Sequence, residues 1–338
     1  MKTSTSVTAL IKTPFLSCTL VASAVMMLGS LTACDSSSQT EVETVDEARV
    51  VEEAPTVVVD SFPGDALPAG SASAVAKKID MARLEQVLSE QSDETKARYQ
   101  YRNPKETIAF FGIQPGSTVV EVLPGGGWYS SILVPYVGSA GRVIGLDYPS
   151  TIWTAMGRDE DYINKRMKMN QEWIDKYGQL EGGASVSFYP FDQAPADLNG
   201  QVDTILFIRA LHNMARLEED GKFLSDSLHT ARMMLKPGGT VGVVQHAVAE
   251  DGLGEIGGGS KGYLKASTIK NAMTEAGFNL VAESDINLNP ADQPSAEDSV
   301  WRLLPSLATS KDDPEKAEKM RAIGESNRVT MLFQKPLS

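Results

Sequence analysis

Five short apolar runs, with helical spacing between them, leave this chain few ways to fold. They are Thr118 to Leu123, Arg142 to Leu146, Val186 to Tyr189, Thr204 to Ile208 and Thr240 to Val244. Each is rich in β-branched and aromatic residues and too continuous to face water on one side, so each predicts a strand buried on both faces. Strands that alternate with helices predict a parallel sheet covered by helices above and below. Two further runs, Phe278 to Val281 and Arg328 to Phe333, read as strands separated by a long polar segment that holds Asn289-Pro290 and Asp312-Asp313-Pro314. The last of these can pair antiparallel with its neighbours. The expectation is therefore an α/β, Rossmann-like domain, a mostly parallel seven-stranded sheet with helices on both faces and an antiparallel last strand.

Ahead of the first strand, Asn103-Pro104-Lys105-Glu106 has the composition of a helix start, with Asn as cap, Pro in the first turn and Glu reaching back. That helix should end near Gly112. One large domain, residues 75–338, accommodates all of these elements, and no internal repeat divides it.

The N-terminus reads differently. Residues 1–33 carry Lys2 and Lys12, then a mostly apolar run from Phe15 to Leu28 broken by Ser17, Thr19 and Ser23, which is the layout of a signal peptide. The run is shorter than the roughly 20 apolar residues a spanning helix needs. Leu31-Thr32-Ala33-Cys34 resembles the lipobox of bacterial lipoproteins, which implies cleavage before Cys34 and acylation of its thiol. Each buried methylene contributes about 0.8 kcal/mol, so two or more chains anchor a protein stably to a membrane. Residues 34–74 form the expected tether: between Asp35 and Asp65 there are nine acidic residues and one basic, with no apolar periodicity. The domain would then sit in the cell envelope, lipid-anchored and on the periplasmic side.

The only cysteines are Cys18 and Cys34, so the domain itself has no disulfide, thiolate metal site or cysteine nucleophile. A net charge of −13 argues against a nucleic-acid partner, which needs a basic surface to displace counterions. There is no His-Glu-x-x-His pair, no Gly-x-Ser-x-Gly elbow and no Gly-x-x-x-x-Gly-Lys-Ser/Thr loop. No metal is expected.

Chemistry is suggested by three short stretches. Glu121 and Val122 run into Leu123-Pro124-Gly125-Gly126-Gly127 and then into Trp128 and Tyr129. This is a strand, a turn in which backbone can approach a ligand closely, and a helix start with free N–H groups. Asp147 closes the next strand twenty residues after Gly127, where a carboxylate can accept hydrogen bonds from ribose hydroxyls, or else cap the turn before Pro149. Leu235-Lys236-Pro237-Gly238-Gly239 closes a long helical pattern before the fifth strand.

In that order, over roughly Arg98 to Pro336, these stretches resemble class I S-adenosylmethionine-dependent methyltransferases. They are most similar to a group of predicted bacterial methyltransferases with a Pro-Gly-Gly-Gly loop and an Arg-x-x-His element, here Arg209-Ala210-Leu211-His212-Asn213, and a histidine after the fifth strand, here His246. The resemblance implies S-adenosyl-L-methionine as cofactor and an unknown methyl acceptor. It places Glu121, Pro124, Gly125, Gly126 and Gly127 at the methionine part of the cofactor, Asp147 at its ribose and Asp192 at its adenine edge. Leu123 departs from the pattern, standing where most class I enzymes have their first glycine, and narrows that site. Candidate catalytic residues are His212, Arg209, Asn213 and His246, at the strand ends where open α/β sheets bind ligands. A histidine there can act as a base, and Arg209 can hold a carboxylate or phosphate. His229, inside the helical pattern, is assigned a structural role. Two rivals share the glycine turn. A nicotinamide-dependent oxidoreductase would want a third glycine where Ser130 stands, and a lipid-anchored, non-catalytic binding or scaffold protein would keep the fold and hold a different nucleoside-like ligand or none.

Overall fold

The computed structural model describes residues 79–251 and 254–338. Cys34 and the segments expected to be a signal peptide and an acidic tether lie outside them. Four helices come first: α1 (Met81–Ser89), α2 (Asp93–Lys96), α3 (Tyr99–Arg102) and α4 (Pro104–Phe110). Then follow β1 (Thr118–Val122), α5 (Ser130–Val137), β2 (Arg142–Asp147), α6 (Ile152–Ala155), α7 (Glu160–Gly178), β3 (Ser185–Pro190) and β4 (Val202–Ile208). The second half adds α8 (Leu211–Arg216), α9 (Glu218–Gly221), α10 (Phe223–Met234), β5 (Leu235–Val248), the two-residue β6 (Leu264–Lys265), α11 (Ala266–Glu275), β7 (Asn279–Ser284), α12 (Pro314–Ile323) and β8 (Arg328–Gln334).

The strands lie in the order β3-β2-β1-β4-β5-β8-β7, with β6 appended to the end of β5. Strands β1 to β5 pair in parallel, and β8 runs antiparallel to both β5 and β7. This is the expected Rossmann-like architecture, mostly parallel with a reversed last strand. From β1 the chain winds outward through β2 and β3, then returns and winds the other way through β4 and β5. The two directions part between β1 and β4, and doubly wound sheets bind their ligands in the crevice beyond that point.

Alternation along each strand feeds two separate cores. Val120, Val122, Ile205, Phe207, Val241 and Val243 pack with residues of α8, α10 and α11. Val119, Val143, Leu206, Ile208 and Val244 face the other way, toward α1, α4, α5 and α7. Successive strand residues point to opposite faces, so a sheet with both faces buried reads as a continuous apolar run. Helix starts are set by short acidic side chains. Asp80, Asp159 and Asp313 accept hydrogen bonds from the N–H groups of Arg83, Tyr162 and Lys316 at 3.0, 2.9 and 2.9 Å.

Two local expectations need correction. Helix α4 does begin at Pro104 and stops before Gly112, but Asn103 makes no side-chain cap. Its backbone is left-handed (φ 40°) and its Nδ2 donates to the Ile286 carbonyl at 2.6 Å, so a tertiary contact takes the amide that would have capped the helix. The fifth strand starts at Leu235, not Thr240. Val202 pairs with Leu235 and Thr204 with Thr240, so Pro237-Gly238-Gly239 bulges out of an uninterrupted strand.

The C-terminal segment is tied to the N-terminal helices by one carboxylate. Glu325 accepts hydrogen bonds from Arg98 Nε (2.9 Å), Arg102 Nε (3.0 Å) and Arg328 Nη1 (3.2 Å). Burial alone would raise this carboxyl, but Arg102, Arg328, Arg209 and Arg98 outweigh it and hold it below the usual carboxylate range. Its contribution to stability is therefore present above the unfolded-state value near 4.3 and is lost as pH falls through the lower folded value. Substituting Glu325→Gln should destabilise the domain by about 3–5 kcal/mol, because it leaves several buried guanidiniums without a counter-charge. Urea unfolding at neutral pH measures this, and the deficit should shrink at acid pH.

Candidate functional site

The crevice between β1 and β4 opens into a cleft of 620 Å³. Its floor is the glycine turn, and its walls carry Arg98, Arg102 and Trp128 on one side and Arg209, His212, Asn213, His246 and Trp301 on the other. The structure thus brings together the four residues expected to be catalytic and Pro124 to Gly127.

Both central strands end in the same way. Leu123 N–H donates to the Leu146 carbonyl and Arg209 N–H to the Val244 carbonyl, each at 2.7 Å, and each residue then adopts a left-handed backbone (φ 52° and 59°). For a side chain larger than glycine this conformation costs roughly 1–2 kcal/mol. Strain of this kind collects at functional positions, where it fixes how the chain leaves the strand. Leu123 lines the cleft and also packs against the core.

Beyond Leu123 the turn is open. A Cβ on Gly126 would meet nothing within 4 Å, and one on Gly125 only the Leu123 carbonyl at 3.9 Å. Gly127 is different: with φ 74°, its Cβ would lie 2.2 Å from Tyr177 Oη, which donates to the Gly127 carbonyl at 2.6 Å. Helix α7 therefore clamps the far end of the turn while its near end faces the cleft.

Glu121 does not reach the cleft. It is buried beneath the turn, where its Oε2 accepts from Ser130 Oγ at 2.5 Å, and Trp173 Nε1 donates to the same hydroxyl at 2.8 Å. Burial pushes its carboxyl up to about 7, against the hydrogen bond from Ser130 and the charges of Arg209 and Arg102.

Asp147 ends β2 but lines a second, smaller cleft of 360 Å³ with Tyr148, Trp153 and Asn170. Its carboxylate is fully engaged. Arg166 Nη2 donates to both oxygens at 3.0 Å, Asn170 Nδ2 to Oδ2 at 3.0 Å and the Tyr148 N–H to Oδ1 at 2.8 Å. About four lone-pair positions are available on a carboxylate, and four contacts from three donors, one of them the shared Arg166 nitrogen, occupy them. Arg166 lines both clefts and stacks over Trp153 at 4.9 Å, so it separates the glycine turn from Asp147. Asp192 stands exposed beyond β3, accepting from the Ser150 N–H at 3.0 Å, and lines neither cleft.

The two histidines lie side by side, with ring centroids 5.8 Å apart. The tautomer of His212 follows from Gln245. That amide accepts from the Leu211 N–H through Oε1 (3.2 Å) and donates from Nε2 to the Gly262 carbonyl (3.1 Å), so Nε2 is also the donor to His212 Nδ1 at 3.3 Å. With Nδ1 accepting, the neutral ring carries its proton on Nε2. In this tautomer His212 offers an N–H donor at Nε2. Burial pushes its pKa down to about 4, helped by the charges of Arg216 and Arg209. Burial also holds His246 well below the ordinary value, and its Nδ1 contacts Ser326 Oγ at 2.5 Å. Asn213 meets Tyr148 Oη at 3.4 Å and accepts from Arg216 Nε at 3.1 Å. His229 is exposed on α10, away from this cleft. Among the described residues, no group of three or more His, Cys, Asp or Glu side chains could hold a metal ion.

Sequence reasoning missed Arg98, Arg102, Arg166 and Trp301. None sits in a recognisable motif. The one local hint is the four-residue spacing of Arg98 and Arg102, which puts both on one helical face.

No protein-family model matches the chain, and a search of curated proteins also finds no match. Solved structures similar to it include an S-adenosylmethionine-dependent methyltransferase from Aquifex aeolicus, at 19% identity over 62% of this chain and 94% of that one, with a TM-score of 0.41. A putative sarcosine dimethylglycine methyltransferase from Galdieria sulphuraria has 16% identity over 74% and 90% of the two chains, with a TM-score of 0.43. The 4+2 cyclase SpnF has 13% identity over 76% and 94%, with a TM-score of 0.45.

The depressed pKa of His212 has a consequence for stability. Between about 6.5 and about 4 the unfolded chain takes up a proton that the folded ring refuses, so stability falls as pH drops through that window. From pH 7.5 to 5.0, wild type should lose about 2 kcal/mol more than His212→Gln, as read from urea unfolding at the two pH values.

Proposed function

We propose that the chain is an S-adenosyl-L-methionine-dependent methyltransferase of the class I type, anchored to a membrane as a lipoprotein through Cys34. One observation supports the cofactor above the rest: the open face of Gly125 and Gly126 lies at the point where the sheet reverses direction, flanked by the ends of β2 and β4. The turn could admit ligand backbone-close on that face, which a side chain would obstruct. Leu123 to Gly127 would hold the methionine part of the cofactor, and Asp147 its ribose. Glu121 would act from beneath, through Ser130 at the first turn of α5. Asp192, bonded to Ser150 at the edge of the smaller cleft, would stand at the adenine edge.

When bound, the cofactor supplies an electrophilic methyl group on a sulfonium. The chain's own contribution is mainly positioning, which can remove roughly 7–11 kcal/mol of barrier when two reactants are held in line. Trp128 and Trp301 shield the cleft, and His212 offers a donor to an acceptor oxygen. Arg166 must leave Asp147, or share it, before ribose hydroxyls can bind there. That saturated carboxylate favours a second reading, a lipid-anchored protein that keeps the fold and binds no cofactor.

Isothermal titration of S-adenosylhomocysteine and, separately, NADH into the purified full-length protein decides between these. Binding of S-adenosylhomocysteine alone is expected. Asp147→Ala should weaken it at least roughly tenfold, the loss of a charge-assisted hydrogen-bond pair. Arg166→Ala should tighten it several-fold, because the ligand no longer competes for the carboxylate. Absence of binding to the folded wild-type protein would remove the transferase reading and leave the scaffold.

Lipid anchoring through Cys34 rests on Leu31-Thr32-Ala33-Cys34 and the layout before it. Metabolic labelling with a radiolabelled fatty acid should mark the wild-type protein and not Cys34→Ser, and only the wild type should partition with the membrane fraction. Label retained in the variant would place the lipid elsewhere or show that none is attached at this cysteine.

A further inference from the structure

The walls of the large cleft have the opposite charge to the molecule. In a chain of net charge −13, the ionised side chains lining it are Arg98, Arg102, Arg166, Lys176 and Arg209 against Glu94 alone. Arg98 and Arg102 share Glu325 with Arg328, and Arg166 is neutralised by Asp147. Arg209 has no such partner: among the described residues none accepts a hydrogen bond from its guanidinium, and its Nε is buried and unsatisfied. Arg102 Nη1 is likewise buried without an acceptor. Glu325 is thus set among four guanidiniums, those of Arg98, Arg102, Arg209 and Arg328, that feel one another's charge.

Neutral donors point the same way. The Gln245 contact leaves the His212 proton on Nε2, so the residue next to Arg209 in the wall is also a donor. A pocket of donors and uncompensated cations, part of it out of water, is unfavourable empty and favourable around an anion, which accepts several charge-assisted hydrogen bonds at once. Its position along the sheet edge indicates which anion. Asp147 ends β2, the glycine turn follows β1, Arg209 follows β4 and His246 lies near the end of β5. The free cation therefore lies across the glycine turn from Asp147, on the side left for the second substrate.

We infer that the cleft beside Arg209 is an anion-binding subsite, and that the methyl acceptor carries a carboxylate or phosphate group held there by Arg209 with Arg98 and Arg102. This deepens the transferase reading and rests on it for the word acceptor. The same chemistry has a second source, the cofactor's own α-carboxylate, and the two are separable.

The test uses purified full-length protein at constant ionic strength, with inorganic phosphate as probe and isothermal titration as readout. Wild type should bind phosphate saturably, and equally well with S-adenosylhomocysteine already bound. Arg209→Gln should weaken phosphate roughly tenfold or more while leaving S-adenosylhomocysteine affinity within about twofold, and Arg209→Lys should restore part of the loss. Arg98→Gln, at a partly exposed position, should weaken phosphate several-fold and guards against misfolding of the buried variant. No saturable phosphate binding to wild type overturns the subsite. If Arg209→Gln weakens S-adenosylhomocysteine but not 5′-methylthioadenosine, which lacks the carboxylate, the anion is the cofactor's and the acceptor assignment falls. If phosphate binding depends on Arg209 while S-adenosylhomocysteine never binds, the anion subsite stands and the transferase reading is what fails.

Discussion

The carboxylate of Glu325 is where three parts of the chain become one structure. It reaches Arg98 and Arg102 from the helices that precede the sheet and Arg328 at the start of the last strand. An ion this deeply buried is tolerated only because several donors surround it, and the guanidiniums are tolerated only because it is there. The arrangement sets one wall of the large cleft, and it leaves more positive charge than it cancels. The electrostatics of the site are thus a consequence of how the ends of the domain are fastened together.

The backbone at the bottom of the cleft follows from a different constraint. Two neighbouring parallel strands end at the point where the sheet reverses, and each must turn sharply away to clear a ligand space. Leu123 and Arg209 do so in a left-handed conformation despite their side chains. At Leu123 the strain is offset by apolar packing, and at Arg209 it aims a cation into the opening. The glycines are reserved for the next positions, where the backbone itself forms the surface.

The fold was legible in the sequence to the extent that local pattern dictates it. Runs such as Thr118 to Leu123 and Thr204 to Ile208 are buried on both faces, so their continuity announces parallel strands, and the glycines after the first mark the ligand edge. What stayed hidden was set by contacts between distant residues. Asn103 has the chemistry of a helix cap, yet a carbonyl 183 residues away claims its amide. Asp147 sits at the expected strand end, but the donors that saturate it come from the middle of a polar helix with no distinguishing motif. The tautomer of His212 is hidden for a similar reason: it depends on Gln245, a residue whose orientation only the packed structure reveals. The pairing of Glu325 with Arg98 spans 227 residues and leaves no trace in either neighbourhood.

The placement of β8 has a consequence for how the molecule is made. The last strand of the chain is not the last strand of the sheet, for it lies between β5 and β7. A ribosome delivers residues in order, so β5 and β7 must wait with an unfilled slot between them until residue 334 has emerged. The Glu325 anchor arrives only nine residues before that point. Until then Arg98, Arg102 and Arg209 stand without that counter-ion. The strands β5 and β7 are thus joined by a segment made after both of them, so the order of assembly follows the topology and not the order of the chain.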